Sequence, residues 1–228
     1  MLDSDSLPRV TGIILAGGQS RRMGRDKAFL DFEGAPLIAR VIEPVRSVCA
    51  QVMIVANGAE TYGRFGLPVI PDVYPGKGSL GGIYSGLQAA DAGYVLAVAC
   101  DLPFLNEALL RHLITLAPQA DVVIPRAHAP RSKAQRAMRY DQLAVKESGL
   151  QATLAIYSKR CLEPMRVRLL ADDLRIINFF DQVRVRIVEP EEVAQFDPQW
   201  LSFLNVNTPE DCKSALALLD QGRKMKGE

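Results

Sequence analysis

Residues 13–27 read I-I-L-A-G-G-Q-S-R-R-M-G-R-D-K, and no other stretch of the chain gathers so many groups that could do chemistry. A short apolar run over residues 10–16, too brief and too rich in β-branched residues for a helix, predicts a buried parallel strand. It ends at Leu15-Ala16 in the pair Gly17-Gly18. The eleven residues from 17 to 27 hold three glycines, three arginines (Arg21, Arg22, Arg25) and Lys27. Glycine lets the backbone take positive φ and come close to a ligand. Consecutive N–H groups in such a loop form a concavity that binds anions. Clustered cations at the end of a first strand then suit a nucleoside triphosphate. A tight turn with solvated charges is the plainer reading, but loop length, cation count and position outweigh it.

Three more polar residues follow short apolar runs: Asn57 after 52–56, Asp72 after 68–70, and Asp101 after the strand expected over 94–99. Strand, loop and helix alternate to residue 125. This predicts an α/β fold: a three-layer α/β/α, Rossmann-like arrangement with a mostly parallel sheet and helices on both faces. In such sheets ligands bind at the carboxyl ends of the strands. The glycine loop, Asn57, Asp72 and Asp101 therefore belong on one rim, with Asp101 expected as an exposed strand-end carboxylate. Helices are expected over 36–48, with Pro36 at its first position and Pro44 inside it, over 83–91, and over 106–116 with Asn106 as N-cap. A loop is expected over 71–82. Beyond 125 the pattern predicts a strand at 154–158, a helix at 161–171, a shorter one at 174–180, and an exposed strand at 184–188. A last helix is capped by Thr208, with Pro209 at its first position. The stretch 126–139 is basic and free of acids, so it stands out as an excursion from the sheet, either a solvated loop or an aid to anion capture.

Several other chemistries are excluded. Gly76-x-Gly78-x-x-Gly81, with Asp101 twenty residues on, matches the dinucleotide fingerprint in letters only, because 71–75 separates it from its strand. No G-x-x-x-x-G-K-[ST] occurs. With only His112 and His128, and with Cys49, Cys100, Cys161 and Cys212 widely spaced, triad and zinc chemistry have little material. The net charge of +1 over 228 residues gives no field for nucleic acid or membrane, and no 18-residue apolar run exists. The polar start 1–6 is unlike a signal peptide. Together with unpaired cysteines this leads to an expectation of a cytoplasmic protein. The chain is expected to be a single domain over 1–228. Its nucleotide-binding half would be about 10–125, its C-terminal half about 140–220, and the basic insertion 126–139 would lie between them.

The pattern L-A-G-G-x-S-x-R-M-G-x-D-K at 15–27 resembles the signature of nucleotidyltransferases that couple NTPs to phosphorylated acceptors. Within that group the chain most resembles the molybdenum cofactor guanylyltransferases. Leu15-Ala16-Gly17-Gly18 carries the likeness, as do Ala56-Asn57, Pro71-Asp72, Gly81-Gly82-Ile83, Cys100-Asp101-Leu102-Pro103 and the run Asn205-Val206-Asn207-Thr208-Pro209-Glu210-Asp211. The insertion at 126–139, Ser79 in place of a proline, and Ala152-Thr153 where a proline-containing stretch is usual depart from it.

The resemblance implies GMP transfer from GTP to molybdopterin-bound molybdenum, with release of pyrophosphate. It implies Mg²⁺ as cofactor, held by Asp101. Lys27 and Arg22 would act with Asp101 in catalysis. Leu15, Ala16, Gly17, Gly18, Lys27, Asn57, Asp72 and Asp101 would bind the nucleotide, and Asn205 and Asn207 would lie on the acceptor side. The partners implied are GTP and molybdenum cofactor, with no nucleic acid or membrane. A monomer or weak oligomer is expected, in possible contact with cofactor-biosynthesis or chaperone proteins. Rival readings are a sister enzyme using CTP, one loading a sugar or alcohol phosphate, and a nucleotide-binding regulator without turnover.

Overall fold

The structure is a computed structural model that describes residues 7–16, 27–127 and 149–208, with 210, 211, 213, 214, 216 and 217 beyond. Gly17, Gly18, Arg21, Arg22 and Arg25, and the basic stretch from residue 128 onward, lie outside the described residues. In chain order the elements are β1 (Val10–Leu15), β2 (Asp31–Phe32), β3 (Ala35–Pro36), α1 (Leu37–Val48), β4 (Gln51–Val55), α2 (Ala59–Tyr62), β5 (Val69–Ile70), α3 (Gly78–Ala89), β6 (Tyr94–Ala99), α4 (Glu107–Leu116), β7 (Val122–Pro125), β8 (Leu154–Ser158), α5 (Leu162–Leu170), β9 (Val185–Val188) and α6 (Pro190–Val193).

Seven strands form one sheet in the order β5-β4-β1-β6-β8-β7-β9. β1 pairs in parallel with both β4 and β6, while β8 is antiparallel to β6 and β7. β7 and β9 again run parallel. β7 therefore points the same way as β6, and its end lies on the same rim. From β1 the chain winds outward through β4 to β5, then returns to place β6 on the other side of β1. The strand order thus reverses between β1 and β6, where open α/β sheets bind their ligands.

Alternation explains why these strands read as unbroken apolar runs. In β6, Leu96 and Val98 join the core under α1 and α4, whereas Val95 and Ala97 join the core under α3 and α5. Both sheet faces are covered, so both sets of side chains must be apolar. α3 lies so close to the sheet that a Cβ at Gly86 would stand 2.7 Å from Ile13 Cδ1. This confirms the expected three-layer α/β fold.

Several boundaries differ from expectation. α3 begins at Gly78 rather than at residue 83, so much of the expected glycine loop is helical. The close packing of the helix on the loop before it uses the small residues: a Cβ at Gly81 would lie 3.1 Å from the Tyr74 carbonyl oxygen and 3.2 Å from Asp72 Oδ1. Pro36 closes the β2–β3 hairpin and stands before α1 rather than inside it. β9 is half-buried along most of its length rather than exposed, because it pairs with β7. Asn106 does cap α4, accepting from the Ala108 and Leu109 amides.

Candidate functional site

The parallel strands deliver the expected polar residues to one rim. Backbone bonds past the strand ends fix their mutual positions. The Ala16 amide donates to the Val55 carbonyl at 3.0 Å, and the Cys100 amide donates to the Leu15 carbonyl at 3.2 Å. Leu15 and Ala16, where the glycine loop departs, therefore sit beside Cys100-Asp101. The Tyr62 hydroxyl donates to the Ala16 carbonyl at 3.0 Å. Tyr62 also packs on Phe29 at 5.2 Å between ring centroids, just beyond Lys27. The two ends of the glycine loop are thus tied to one small aromatic group.

At the far end of that loop, Lys27 Nζ donates to Asp101 Oδ2 at 2.6 Å and to Asn207 Oδ1 at 3.2 Å. These three residues are 74 and 180 positions apart in the chain, measured from Lys27. Asp101 is only 4% exposed, so the expectation of an exposed carboxylate is corrected. The segment 205–207 runs against it: the Val206 amide donates to the Asp101 carbonyl at 2.8 Å. Burial makes a paired cation necessary, because an ionised carboxylate loses its hydration there. Lys27 supplies that charge to Oδ2, and Oδ1 has no hydrogen-bond partner among the described residues.

Asn207 is held in turn from the last helix. Asp211 Oδ2 accepts from the Asn207 and Thr208 amides at 3.0 and 2.9 Å, and the Asp211 amide donates to Thr208 Oγ1 at 3.1 Å. This reciprocal cap is a capping box with Asp in the third position. Asn205 is half-buried at the start of the same turn.

Asn57 and Asp72 are brought together as well. The Asp72 amide donates to Asn57 Oδ1 at 3.2 Å. Asp72 Oδ1 accepts from the Tyr74 amide at 3.0 Å and lies 3.0 Å from the Ser85 hydroxyl. This local turn occupies one carboxylate oxygen of Asp72. Lys77, at the N-terminus of α3, pairs with Asp172 at 2.7 Å and ties this loop to the end of α5.

Tyr62 and Ser85 are positioning residues that the sequence reading passed over, and Asp211 was read only as part of the run 205–211, without a positioning role. Only Asp211 left a readable signal, the Thr-x-x-Asp spacing ahead of a helix. Of the expected site, the structure joins Leu15, Ala16, Lys27, Asp101 and Asn207 in one place and Asn57 with Asp72 in another on the same rim. Among the described cysteines, Cys161 is fully buried, and burial pushes its thiol up to about 12. No helix among the described residues is long and apolar enough to cross a membrane.

Residues 12–185 match the family model described as the MobA-like NTP transferase domain. The chain belongs to this family. Among its relatives, the molybdenum cofactor guanylyltransferase of Desulfosudis oleivorans is 36% identical over 94% of this chain and 98% of its own. A probable molybdenum cofactor guanylyltransferase of Pelotomaculum thermopropionicum is also 36% identical, over 94% of this chain and 96% of its own. The crystal structure of molybdopterin-guanine dinucleotide biosynthesis protein A from Archaeoglobus fulgidus superimposes with a TM-score of 0.73 at 23% identity, covering 93% of this chain and 100% of that one. That likeness speaks for the fold. In this member of the MobA-like NTP transferases, the matched segment contains the β1–β6 rim with Lys27, Asn57, Asp72 and Asp101, and Asn207 reaches it from beyond.

Proposed function

We propose that this MobA-like NTP transferase moves GMP from GTP to molybdenum cofactor, giving molybdopterin guanine dinucleotide and pyrophosphate. The observation that carries the reading is the Lys27–Asp101–Asn207 cluster at the sheet's switch point. Its setting is a chain aligned almost end to end with relatives named for that reaction. In the step itself, an oxygen of the acceptor's terminal phosphate bonds to the α-phosphorus of GTP. The bond from α-phosphorus to the bridging oxygen breaks, and its electron pair leaves with pyrophosphate. Both reactants are anions, so alignment and charge neutralisation matter more than proton transfer.

Lys27 is suited to neutralise phosphate oxygens. Gly17, Gly18 and Arg22 would complete the phosphate cradle. The fit of Mg²⁺ rests on Asp101: its Oδ1 is buried yet takes no hydrogen bond from the described residues. No group of three metal-binding side chains occurs among the described residues. Mg²⁺ commonly uses one or two carboxylates and completes its shell with water and substrate phosphates, so a single buried Asp fits it. Bound there, Mg²⁺ would neutralise charge on the transferring phosphoryl group and on pyrophosphate.

Asn57 and Asp72 are suited to the base. Asn57 spends Oδ1 on the Asp72 amide, which leaves its Nδ2 donors to offer. Asp72 spends Oδ1 on Tyr74 and Ser85, which leaves Oδ2 as an acceptor. A donor beside an acceptor matches guanine, with O6 next to N1–H and N2–H₂. Asn205 and the basic stretch 126–139 would face the acceptor. The first two residues of that stretch leave from the end of β7 on this rim, where the Ala127 amide donates to the Gly149 carbonyl at 2.9 Å.

Thermal-shift titration with Mg²⁺ and GTP, CTP or ATP tests the base assignment. GTP is expected to raise the melting temperature most. A ligand at 100 times its Kd stabilises by about 2.7 kcal/mol. A larger shift with CTP would make this the sister enzyme instead.

A further inference from the structure

Asp101 carries two oxygens in different circumstances, and the difference has a consequence for the order in which ligands bind. Oδ2 is 2.6 Å from Lys27 Nζ, with the Asp101 side chain 6% exposed and that of Lys27 28% exposed. Lys27 is not a loose neighbour, because Asn207 Oδ1 also accepts from Nζ at 3.2 Å. Asn207 is itself fixed by the Asp211 cap, and the turn that carries it is pinned to the Asp101 carbonyl through Val206. The chain therefore builds its own cation into the carboxylate and braces that cation from two sides.

Resting on the metal reading above, we propose that Lys27 is an internal counter-cation that keeps a divalent metal from binding Asp101 by itself, so that metal enters only together with the triphosphate. A lone divalent ion arriving at Asp101 meets a carboxylate whose charge is already compensated, next to a fixed ammonium that repels it. A single carboxylate offers little return for the water that Mg²⁺ must shed, and Mg²⁺ sheds water reluctantly. The triphosphate removes both obstacles. It brings oxygen ligands for the metal, and it gives the ammonium a second set of anions to hold. The lysine then exchanges its partner from Oδ2 of Asp101 to phosphate oxygens, and the carboxylate passes to the metal. The same side chain thus serves the empty site as a neutraliser and the loaded site as a phosphate contact. An enzyme built this way does not hold a metal ion without the nucleotide to which it must be matched.

The test is the binding of Mn²⁺ alone, read by electron paramagnetic resonance of the free ion, with no turnover involved. Wild type, Lys27→Met, Lys27→Gln, Asp101→Asn and the double variant Lys27→Met/Asp101→Asn are titrated, and each is checked for a cooperative melt. Removing the internal cation is expected to tighten Mn²⁺ binding by about tenfold, equivalent to about 1.4 kcal/mol. The gain should vanish in the double variant. Using two replacements guards against a fold lost in one of them. In the wild type, a non-hydrolysable GTP analogue should strengthen Mn²⁺ binding more than it does in Lys27→Met, because the two ligands are coupled through this residue. Equal Mn²⁺ affinity in wild type and both Lys27 variants overturns the proposal. If Asp101→Asn alone still weakens Mn²⁺ binding in the presence of the GTP analogue, the metal reading stands without it. A gain that persists in the double variant overturns both, because the metal then binds elsewhere.

Discussion

Asp101→Asn is expected to lower turnover by about 100- to 1,000-fold or more, the scale on which removing one fixed electrostatic contact slows a transfer reaction. The amide has the shape of the carboxylate but not its charge, so the metal would lose its only protein ligand proposed here. The fold should persist. An Asn side-chain oxygen can still accept from Lys27 Nζ, and the bond from the Val206 amide runs to the backbone carbonyl, which the substitution leaves alone. Persistence of the fold does not follow from exposure, since Asp101 is buried at 4%. It follows from the replacement being isosteric and still hydrogen-bonded. Turnover assays with a parallel thermal melt check both halves. Near-normal turnover that still requires Mg²⁺ would remove Asp101 from the metal site.

Lys27→Ala should fail in a different way. The lysine would contact phosphate in both ground and transition states, so GTP affinity and rate should fall together, by about 30- to 1,000-fold or about 2–4 kcal/mol. The variant should also melt lower, because it leaves the buried Asp101 carboxylate without its cation. Breaking a fully buried pair costs about 3–5 kcal/mol. Here the lysine side chain is 28% exposed, and solvent screening reduces the cost to about 1–2 kcal/mol, roughly 2–8 °C in a chain of this size. Comparing GTP affinity, turnover and melting temperature in the two variants separates the residues. The aspartate variant loses metal binding and chemistry but keeps its stability, and the lysine variant loses nucleotide binding, chemistry and stability. A lysine variant with wild-type GTP affinity would show that the Lys27–Asp101 pair serves the fold only.

The legible parts of this protein were those in which one physical cause dominates. β6 and β8 could be read because strands covered on both faces must be apolar throughout. The Asn106 cap could be read because an Asn oxygen ahead of a helix satisfies free amides. The rim carrying Lys27, Asn57, Asp72 and Asp101 could be read because parallel strands end together. The start of α3 at Gly78 was hidden, because glycines that permit close packing on Asp72 look the same in sequence as glycines that permit a loop. The antiparallel insertion of β8 between β6 and β7 was hidden too, since strand direction leaves no mark on an apolar run. Long-range pairs were the least visible. Nothing local to Asp101 announces that Val206 will cover it or that Asn207 will share its lysine. Tyr62 on Ala16 and Ser85 on Asp72 are further cases in which a polar group on one element serves the backbone or side chain of another.

Transfer of GMP to molybdenum cofactor is measured directly as pyrophosphate release by the purified chain with Mg²⁺, molybdenum cofactor and each of GTP, CTP and ATP. GMP transfer requires release with GTP that depends on the cofactor, with little release from CTP or ATP, and a guanine dinucleotide product recovered in equal amount. Release with CTP in preference to GTP, or no release with any nucleotide from folded protein that binds GTP, would contradict it.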